Sequence, residues 1–315
     1  MHRIDAWPRL AITFASPWKG QSVAALARTF GANAAIAGRF LPVWLATAVL
    51  VIVAAIIAPQ TLQNTSWAYI LPYMTILAIA ALGQMLVIMQ AGIDLSTPGV
   101  SSCGGNLIVA AWSLRYAREN TNSLQVPPAL SSWAAEKPLG VSSVFWMGAG
   151  ITLAVALLLR YTAPGRRFQA FGANPRAAWM AGLRVRTHVV FAYTAAGALY
   201  AMAAILLAGI RINIDPAFGA TYLLPPIAAV VIAGASLSGG LASATSTWVA
   251  ALALTLLTQM LLILGLSTAV WYIVYGAAII AGMLVSGDRV ASLLGRALRP
   301  SEATIVQADI GTNPS

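Results

Sequence analysis

The sequence predicts an all-α polytopic membrane protein, and three observations support this class. Of its 315 residues, 59% are apolar and only 8% are charged, whereas about a quarter of a typical soluble domain is charged. The mean hydropathy of +0.80 leaves too little polar surface for a sizeable soluble domain. Apolar runs of helical length also recur along most of the chain.

Eight apolar segments are candidate transmembrane or re-entrant helices. Because a straight crossing needs about 20 residues, several segments are marginal, and we expect two to be broken or re-entrant. The eight lie at 41–58, 67–91, 97–112, 144–161, 189–210, 222–238, 247–265 and 269–286. We therefore expect one transmembrane domain over 41–286, with tails at 1–40 and 287–315.

The distribution of basic residues predicts the orientation. The loop at 162–188 carries five arginines and no acid, and such loops stay in the cytoplasm. Counting one crossing for each candidate segment, four crossings from a cytoplasmic N-terminal tail place this loop on the same side, and all eight place the C-terminal tail there. Both tails and the loop are thus expected in the cytoplasm, and 113–143 on the opposite face. The arginines are Arg166, Arg167, Arg176, Arg184 and Arg186.

The composition argues against an enzyme. With eight acids, two histidines and one cysteine, the chain offers no metal-ligand spacing and no pair of a nucleophile and a base. Its two lysines, Lys19 and Lys137, do not follow the glycine pattern of a phosphate-binding loop. We expect no cofactor on this chain, and any ATP to be bound by a partner subunit.

A polar interruption follows the second apolar segment and reads Gly92-Ile93-Asp94-Leu95-Ser96. Ser96 can begin the next helix, and Gly92 permits close backbone approach. Asp94 is the only acid between the start of the first span and the end of the third. Intramembrane acids usually face a cavity or a partner, which favours a role in the transport path. The alternative is an anion that holds a helix terminus in place.

A second copy of this pattern closes the segment at 222–238. It begins at Gly234, contains Ser236 and Ser238, and shares the pattern G-x-[DS]-L-S at an offset of 142 residues. Because four candidate spans lie between the copies, they indicate two similar halves around a central path. We expect Asp94, Ser96, Ser236 and Ser238 to line that path. Chance recurrence, or close helix packing through small residues, is the alternative.

The cytoplasmic loop contains a short helix with a signal at each end. Asn174 can cap it, Pro175 suits its first turn, and Gly182 suits a left-handed terminator. A helix of two turns is unstable alone in water and must dock on something. The partner is either a soluble subunit or the membrane surface. The candidate contact residues are Asn174, Pro175, Arg176, Ala177, Gly182 and Arg184.

These three motifs resemble the permease subunits of bacterial ribose and monosaccharide ABC importers, a family that includes branched-chain amino-acid permeases. The resemblance covers about 41–286 and also includes Ile227-Ala228-Ala229-Val230-Val231. It implies a multi-pass protein of the bacterial inner membrane that forms a pore with a second permease chain. Cytoplasmic ATP-binding subunits would dock on 174–182, and a periplasmic solute-binding protein would dock outside.

Two departures from the family pattern affect this expectation. Relatives usually carry about two further spans before the motif that reads Pro138-Leu139-Gly140-Val141 in this chain. Here a polar stretch stands in place of those spans. An internal deletion of this size preserves the orientation but leaves a lipid-facing groove or an incomplete pore wall. The second departure is Leu223 and Pro225, where relatives commonly carry acids.

The resulting hypothesis is a permease that moves a monosaccharide or similar small polar solute by alternating access, driven by a partner ATPase. One alternative is an ATP-independent channel or secondary carrier, which would need intramembrane ionisable groups for its coupling ion. Another is a truncated permease whose transport is impaired. A membrane enzyme is a more distant possibility, and nucleic acid is not an expected partner.

Overall fold

The computed structural model describes residues 40–101, 126–211 and 221–286, and this part of the chain is all-α. We number its complete helices in chain order. They are α1 (Phe40–Ile57), α2 (Asn64–Ile88), α3 (Pro128–Ala135), α4 (Ser143–Tyr161), α5 (Ala163–Ala173), α6 (Pro175–Met180), α7 (Val185–Ile210), α8 (Leu224–Ile232), α9 (Ala244–Ile263) and α10 (Thr268–Ser286).

The predicted segments coincide with these helices to within a few residues at most ends. Among the described residues, five helices are long and apolar enough to cross a membrane, namely α1, α2, α4, α7 and α9. The segment 97–112 begins as a helix at 97–101, and the rest of it lies outside the described residues. The expected break in the segment 222–238 is present, since α8 stops at Ile232. Its nine residues rise only about 14 Å.

The centre of the bundle is α2, whose most apolar 18-residue window is 89% buried, against 17% for α1. Helices α4, α7, α8 and α9 all pack on it. Gly83 sets the closest approach to α7, because a Cβ there would lie 2.6 Å from Cε1 of Tyr200. A helix that is apolar all round and enclosed by others must lie in the interior.

The helix termini meet in two clusters at opposite ends of α2. At the first, the early turns of α2 and α10 meet the last turns of α7 and α9. We call it the aromatic end, and its residues include Tyr69, Arg211, Gln259 and Trp271. At the second, the last turn of α2 meets the end of α5 and the loop after α8. We call it the glycine end, and its residues include Met89, Gly172 and Gly240.

The helix α3 was missed by the sequence analysis, which treated 113–143 as a polar connection. Leu130 and Ala134 pack on α7 beside Gly209, where an added Cβ would lie 3.2 Å from either side chain. Only eight residues long, α3 is too short for hydrophobic periodicity to reveal it. The described part of 113–143 therefore contributes a helix to the surface of the bundle.

Candidate translocation and coupling site

The first motif forms a tight turn at the end of α2. Ala91 has a positive φ of 59°, and the N–H of Gly92 donates to the carbonyl of Val87 over 3.2 Å. An added Cβ at Gly92 would lie 2.7 Å from the Tyr193 hydroxyl and 3.1 Å from Cγ1 of Val87, so the Tyr193 side chain would have to move. Gly92 thus permits a close approach to α7, as the sequence analysis expected in general terms.

The carboxylate of Asp94 forms a hydrogen bond within its own turn. Asp94 is 7% exposed, and its Oδ1 accepts a hydrogen bond of 2.8 Å from the N–H of Ser96. The Ser96 carbonyl then accepts from the N–H of Val100, so the next helix begins at this point. This geometry is the helix-terminus role that the sequence analysis named as the alternative for Asp94.

A buried polar cluster surrounds the backbone of Asp94. The Gln84 side chain is fully buried. We orient its amide so that every donor faces an acceptor. The amide oxygen then accepts from the Asp94 N–H at 3.1 Å. The amide nitrogen donates to the Asp94 carbonyl at 3.0 Å and to the Tyr200 hydroxyl at 2.8 Å. The Thr97 hydroxyl is also buried and lies 3.5 Å from the Asp94 carbonyl. Sequence reasoning missed Gln84 and Tyr200, since each stands alone in an apolar run.

The second motif is a loop rich in left-handed glycines. Gly234, Gly239 and Gly240 have φ values of 87°, 94° and 87°, a region that L side chains rarely adopt. The loop is closed by a hydrogen bond of 3.0 Å from the Ser236 N–H to the Leu241 carbonyl. The conformation explains why the motif ends in two glycines.

The two motifs and the segment that precedes α6 meet at the glycine end. The N–H of Gly240 donates to the carbonyl of Met89 over 2.9 Å. Gly172 packs so closely that an added Cβ would overlap the Met89 carbonyl and lie 3.1 Å from the Gly240 nitrogen. The side chain of Gln90 also donates to the Phe168 carbonyl of α5 at 3.2 Å. We call the contact of Met89, Gly172, Gly239 and Gly240 the glycine junction.

The short helix α6 has the predicted caps. The Asn174 side chain accepts from the N–H of Ala177 at 3.0 Å, and Gly182 has a φ of 81°. The N–H groups of Gly182 and Leu183 donate to the carbonyls of Trp179 and Ala178, which is the hydrogen-bond pattern of a Schellman motif. Both terminal predictions for this helix are confirmed.

The exposed surface of α6 includes two large apolar residues that the sequence analysis did not select. Trp179 is 69% exposed and Met180 is 75% exposed, while Ala178 is buried against the rest of the chain. The selected residues Arg176 and Arg184 are also exposed. Large exposed apolar side chains beside arginines are typical of an interaction surface.

The four proposed path residues lie in two loops that are joined at the glycine junction by the hydrogen bond from the Gly240 N–H to the Met89 carbonyl. Asp94 is buried, Ser236 is half-buried, and Ser96 and Ser238 are exposed. Their role in a translocation path stays a prediction.

Comparison with known proteins places these features in a family. Residues 19–283 match the family model described as branched-chain amino acid transport system / permease component. The chain is 33% identical over 153 residues to the ribose import permease protein RbsC of Escherichia coli K12, covering 49% of this chain and 48% of that protein.

Two further relatives are similar over comparable lengths. RbsC of Bacillus subtilis 168 is 36% identical over 129 residues, which cover 41% of this chain and 40% of that protein. The autoinducer 2 import system permease protein LsrC of Salmonella paratyphi B is 32% identical over 175 residues, covering 55% of this chain and 50% of that protein.

The chain spans about half the length of the curated relatives that it matches. No solved structure matches it significantly. The family model nevertheless covers most of the chain, and the apolar helices agree with a multi-pass membrane protein. The chain therefore belongs to the branched-chain amino acid transport system / permease component family.

Proposed function

We propose that this chain is the membrane subunit of an ATP-driven importer for a monosaccharide or similar small polar solute. A second permease chain completes the pore in the bacterial inner membrane. Cytoplasmic ATPase subunits bind on α6, and a periplasmic solute-binding protein delivers solute at the aromatic end. The N- and C-terminal tails lie in the cytoplasm.

The observation that carries this proposal is the glycine junction. It joins the segment before α6 directly to the loop of each motif, through backbone contacts around Met89 and Gly172. Because backbone packs directly on backbone there, with no side chains between, the contact can deform little when one segment moves. A displacement of α6 by an ATPase therefore moves both helix breaks together, which is the coupling that alternating access requires.

The surface of α6 supports the choice of partner. Its caps preorganise a helix that is otherwise too short to persist. Trp179 and Met180 give it an apolar anchor, and the neighbouring arginines suit an acidic groove on a soluble subunit. The proposal assigns ATP hydrolysis to that subunit, since neither lysine of the sequence follows the glycine pattern of a phosphate-binding loop.

Co-purification tests the assignment. A tagged chain extracted from its native membranes in mild detergent is expected to bring its ATPase with it. A Trp179→Ala variant should lose most of the ATPase at equal membrane abundance. Trp146→Ala is the matched control, since Trp146 is 45% exposed in the first turn of α4, at the opposite end of that helix from the loop that carries α6. If the wild-type chain transported solute in ATP-free vesicles without any ATPase, the importer assignment would be wrong.

A further inference from the structure

The aromatic end encloses a cavity that lies apart from the two motifs. Its volume is about 290 Å³, close to the lower limit for small-molecule sites. It is bounded by α2, α9 and α10, with the start of α8 as its floor. Its lining reaches Leu77, 13 residues or about 20 Å along α2. The cavity therefore extends well into the bundle.

The walls combine aromatic faces with neutral hydrogen-bonding groups. Tyr69 and Tyr73 stack with ring centroids 4.7 Å apart at 16°, and Trp271 and Tyr275 lie on the opposite wall. Gln259 adds an amide that both donates and accepts. Aromatic faces pack well against the C–H faces of a sugar ring, and the polar groups match its hydroxyls.

The cavity contains a donor that lacks an acceptor. The indole N–H of Trp271 is buried and has no hydrogen-bond partner in the part of the chain that the structure describes. Indole N–H groups almost always find an acceptor when buried, because an unpaired buried donor is costly. A solute hydroxyl in the cavity is suited to this role.

An aromatic belt at the membrane interface would be the simpler explanation for so many tyrosines and tryptophans. Belt residues face the lipid, however, and here the Tyr275 side chain is only 8% exposed. Its hydroxyl lies 2.6 Å from the Thr258 hydroxyl inside the bundle. The Tyr275 ring thus faces the interior of the bundle, whereas Tyr69 and Tyr272 are exposed where the cavity opens.

The charges around the cavity restrict the solute. Arg211 is exposed on its rim, and none of the described residues that line the cavity is acidic. Among the described lining residues, the ammonium group of an amino-acid zwitterion would find no carboxylate partner, and burying an unpaired charge is unfavourable. An uncharged polyhydroxylated solute needs no such partner.

We propose that this cavity is a solute-binding site of the permease itself, selective for uncharged polyhydroxylated molecules over zwitterionic amino acids. The site would hold solute at the entrance, before the helix breaks at the glycine end. This inference rests on the proposed importer function and its orientation, and it assigns solute recognition to this chain in addition to any binding protein.

Saturation-transfer NMR on the purified full chain in lipid nanodiscs, without ATPase, tests the proposal. The probes are D-ribose, ribose 5-phosphate and L-leucine. We expect transfer to D-ribose and none to L-leucine. Trp271→Phe keeps an aromatic face and removes the N–H, so the Kd for D-ribose should rise about three- to tenfold, the equivalent of one hydrogen bond. Trp44→Phe, on exposed α1, should leave the Kd unchanged.

Several results would overturn the proposal. One is equal saturation transfer to D-ribose from the wild-type and the Trp271→Phe proteins. A second is stronger transfer to L-leucine than to D-ribose, and a third is transfer to ribose 5-phosphate alone. The last is transfer from lipid acyl chains without any transfer to D-ribose. If Trp271→Phe fails to fold, Gln259→Met provides the same comparison. A chain that co-purifies with its ATPase but does not bind D-ribose would refute this site alone. A chain that binds D-ribose in nanodiscs but co-purifies with no ATPase from native membranes would refute only the importer assignment.

Discussion

The side-chain amide of Gln84 pairs with the backbone of Asp94 through two hydrogen bonds, of 3.1 and 3.0 Å. In this way a residue inside α2 holds the segment that leaves α2 and satisfies both backbone groups of a buried position. The Tyr200 hydroxyl, 2.8 Å from the same amide, ties α7 into the arrangement. The helix break is therefore fixed by its own helix and a neighbour.

Removing the Gln84 amide should destabilise the break. Gln84→Met keeps the length of the side chain but leaves the Asp94 N–H and carbonyl without their partner, so we expect a loss of about 1–3 kcal/mol in the free energy of unfolding. Thermal unfolding in detergent measures it. Gln63→Met, at an exposed position before α2, is the control. Equal stability of both variants would contradict the pairing.

The role of Asp94 can be separated from its capping geometry. Asn at this position retains an oxygen that can accept from the Ser96 N–H, whereas Ala does not. We expect Asp94→Asn to keep normal membrane abundance and lower solute uptake, and Asp94→Ala to lower both, because it also removes the turn. Uptake in vesicles and immunoblotting provide the two measurements. Unchanged uptake by Asp94→Asn at equal abundance would leave Asp94 a purely structural role.

Sequence reasoning predicted the helices well and the site only in part. The long apolar runs, the broken segment at α8 and the caps of α6 are local features, so residue type and spacing reveal them. The glycine junction joins Met89 to Gly172 and Gly240, far apart in sequence. A long-range contact of this kind leaves no periodic signal. The pairing of Gln84 with Asp94 was not predicted for a different reason. A single amide within an apolar run has no feature that distinguishes it from a core residue.

The glycine junction predicts an unusually sensitive position at Gly172. In Gly172→Ala the new methyl group would overlap the Met89 carbonyl, and overpacking of this kind costs about 1–3 kcal/mol. We expect weaker coupling of ATP hydrolysis to transport, with ATPase binding retained because α6 is unchanged. Gly150→Ala is the matched control, since a Cβ there meets nothing within 4 Å. Full coupling in Gly172→Ala would show that the contact is not needed for transmission.

The proposed orientation can be tested with single cysteines in a Cys103→Ala background. Ser132 on α3 and Thr187 on α7 are both exposed. A membrane-impermeant maleimide applied to intact spheroplasts should label the Ser132→Cys variant and should label the Thr187→Cys variant only after permeabilisation. The reverse pattern would invert the topology and remove α6 from the cytoplasm.

The caps of α6 give the sharpest test of how it binds a partner. Asn174→Ala removes the hydrogen bond to the Ala177 N–H and should cost about 1 kcal/mol of helix stability. Gly182→Val should cost more, because Gly182 has a φ of 81° and a β-branched residue is strained there. Neither residue contacts the cavity or the glycine junction directly, so membrane insertion should be unaffected.

Each cap variant should therefore reduce ATPase co-purification and solute-stimulated ATP hydrolysis, with the larger effect in Gly182→Val. The larger effect in Gly182→Val is informative because both variants keep the contact surface of α6. A difference between them therefore reflects the loss of helix stability at each position and not the loss of contact area. Trp179→Ala, in contrast, removes contact area and leaves both caps intact, so it should weaken ATPase binding without lowering helix stability. If Gly182→Val kept full association and coupling, α6 would be better explained as a helix that rests on the lipid surface, where Arg176 and Arg184 meet anionic headgroups.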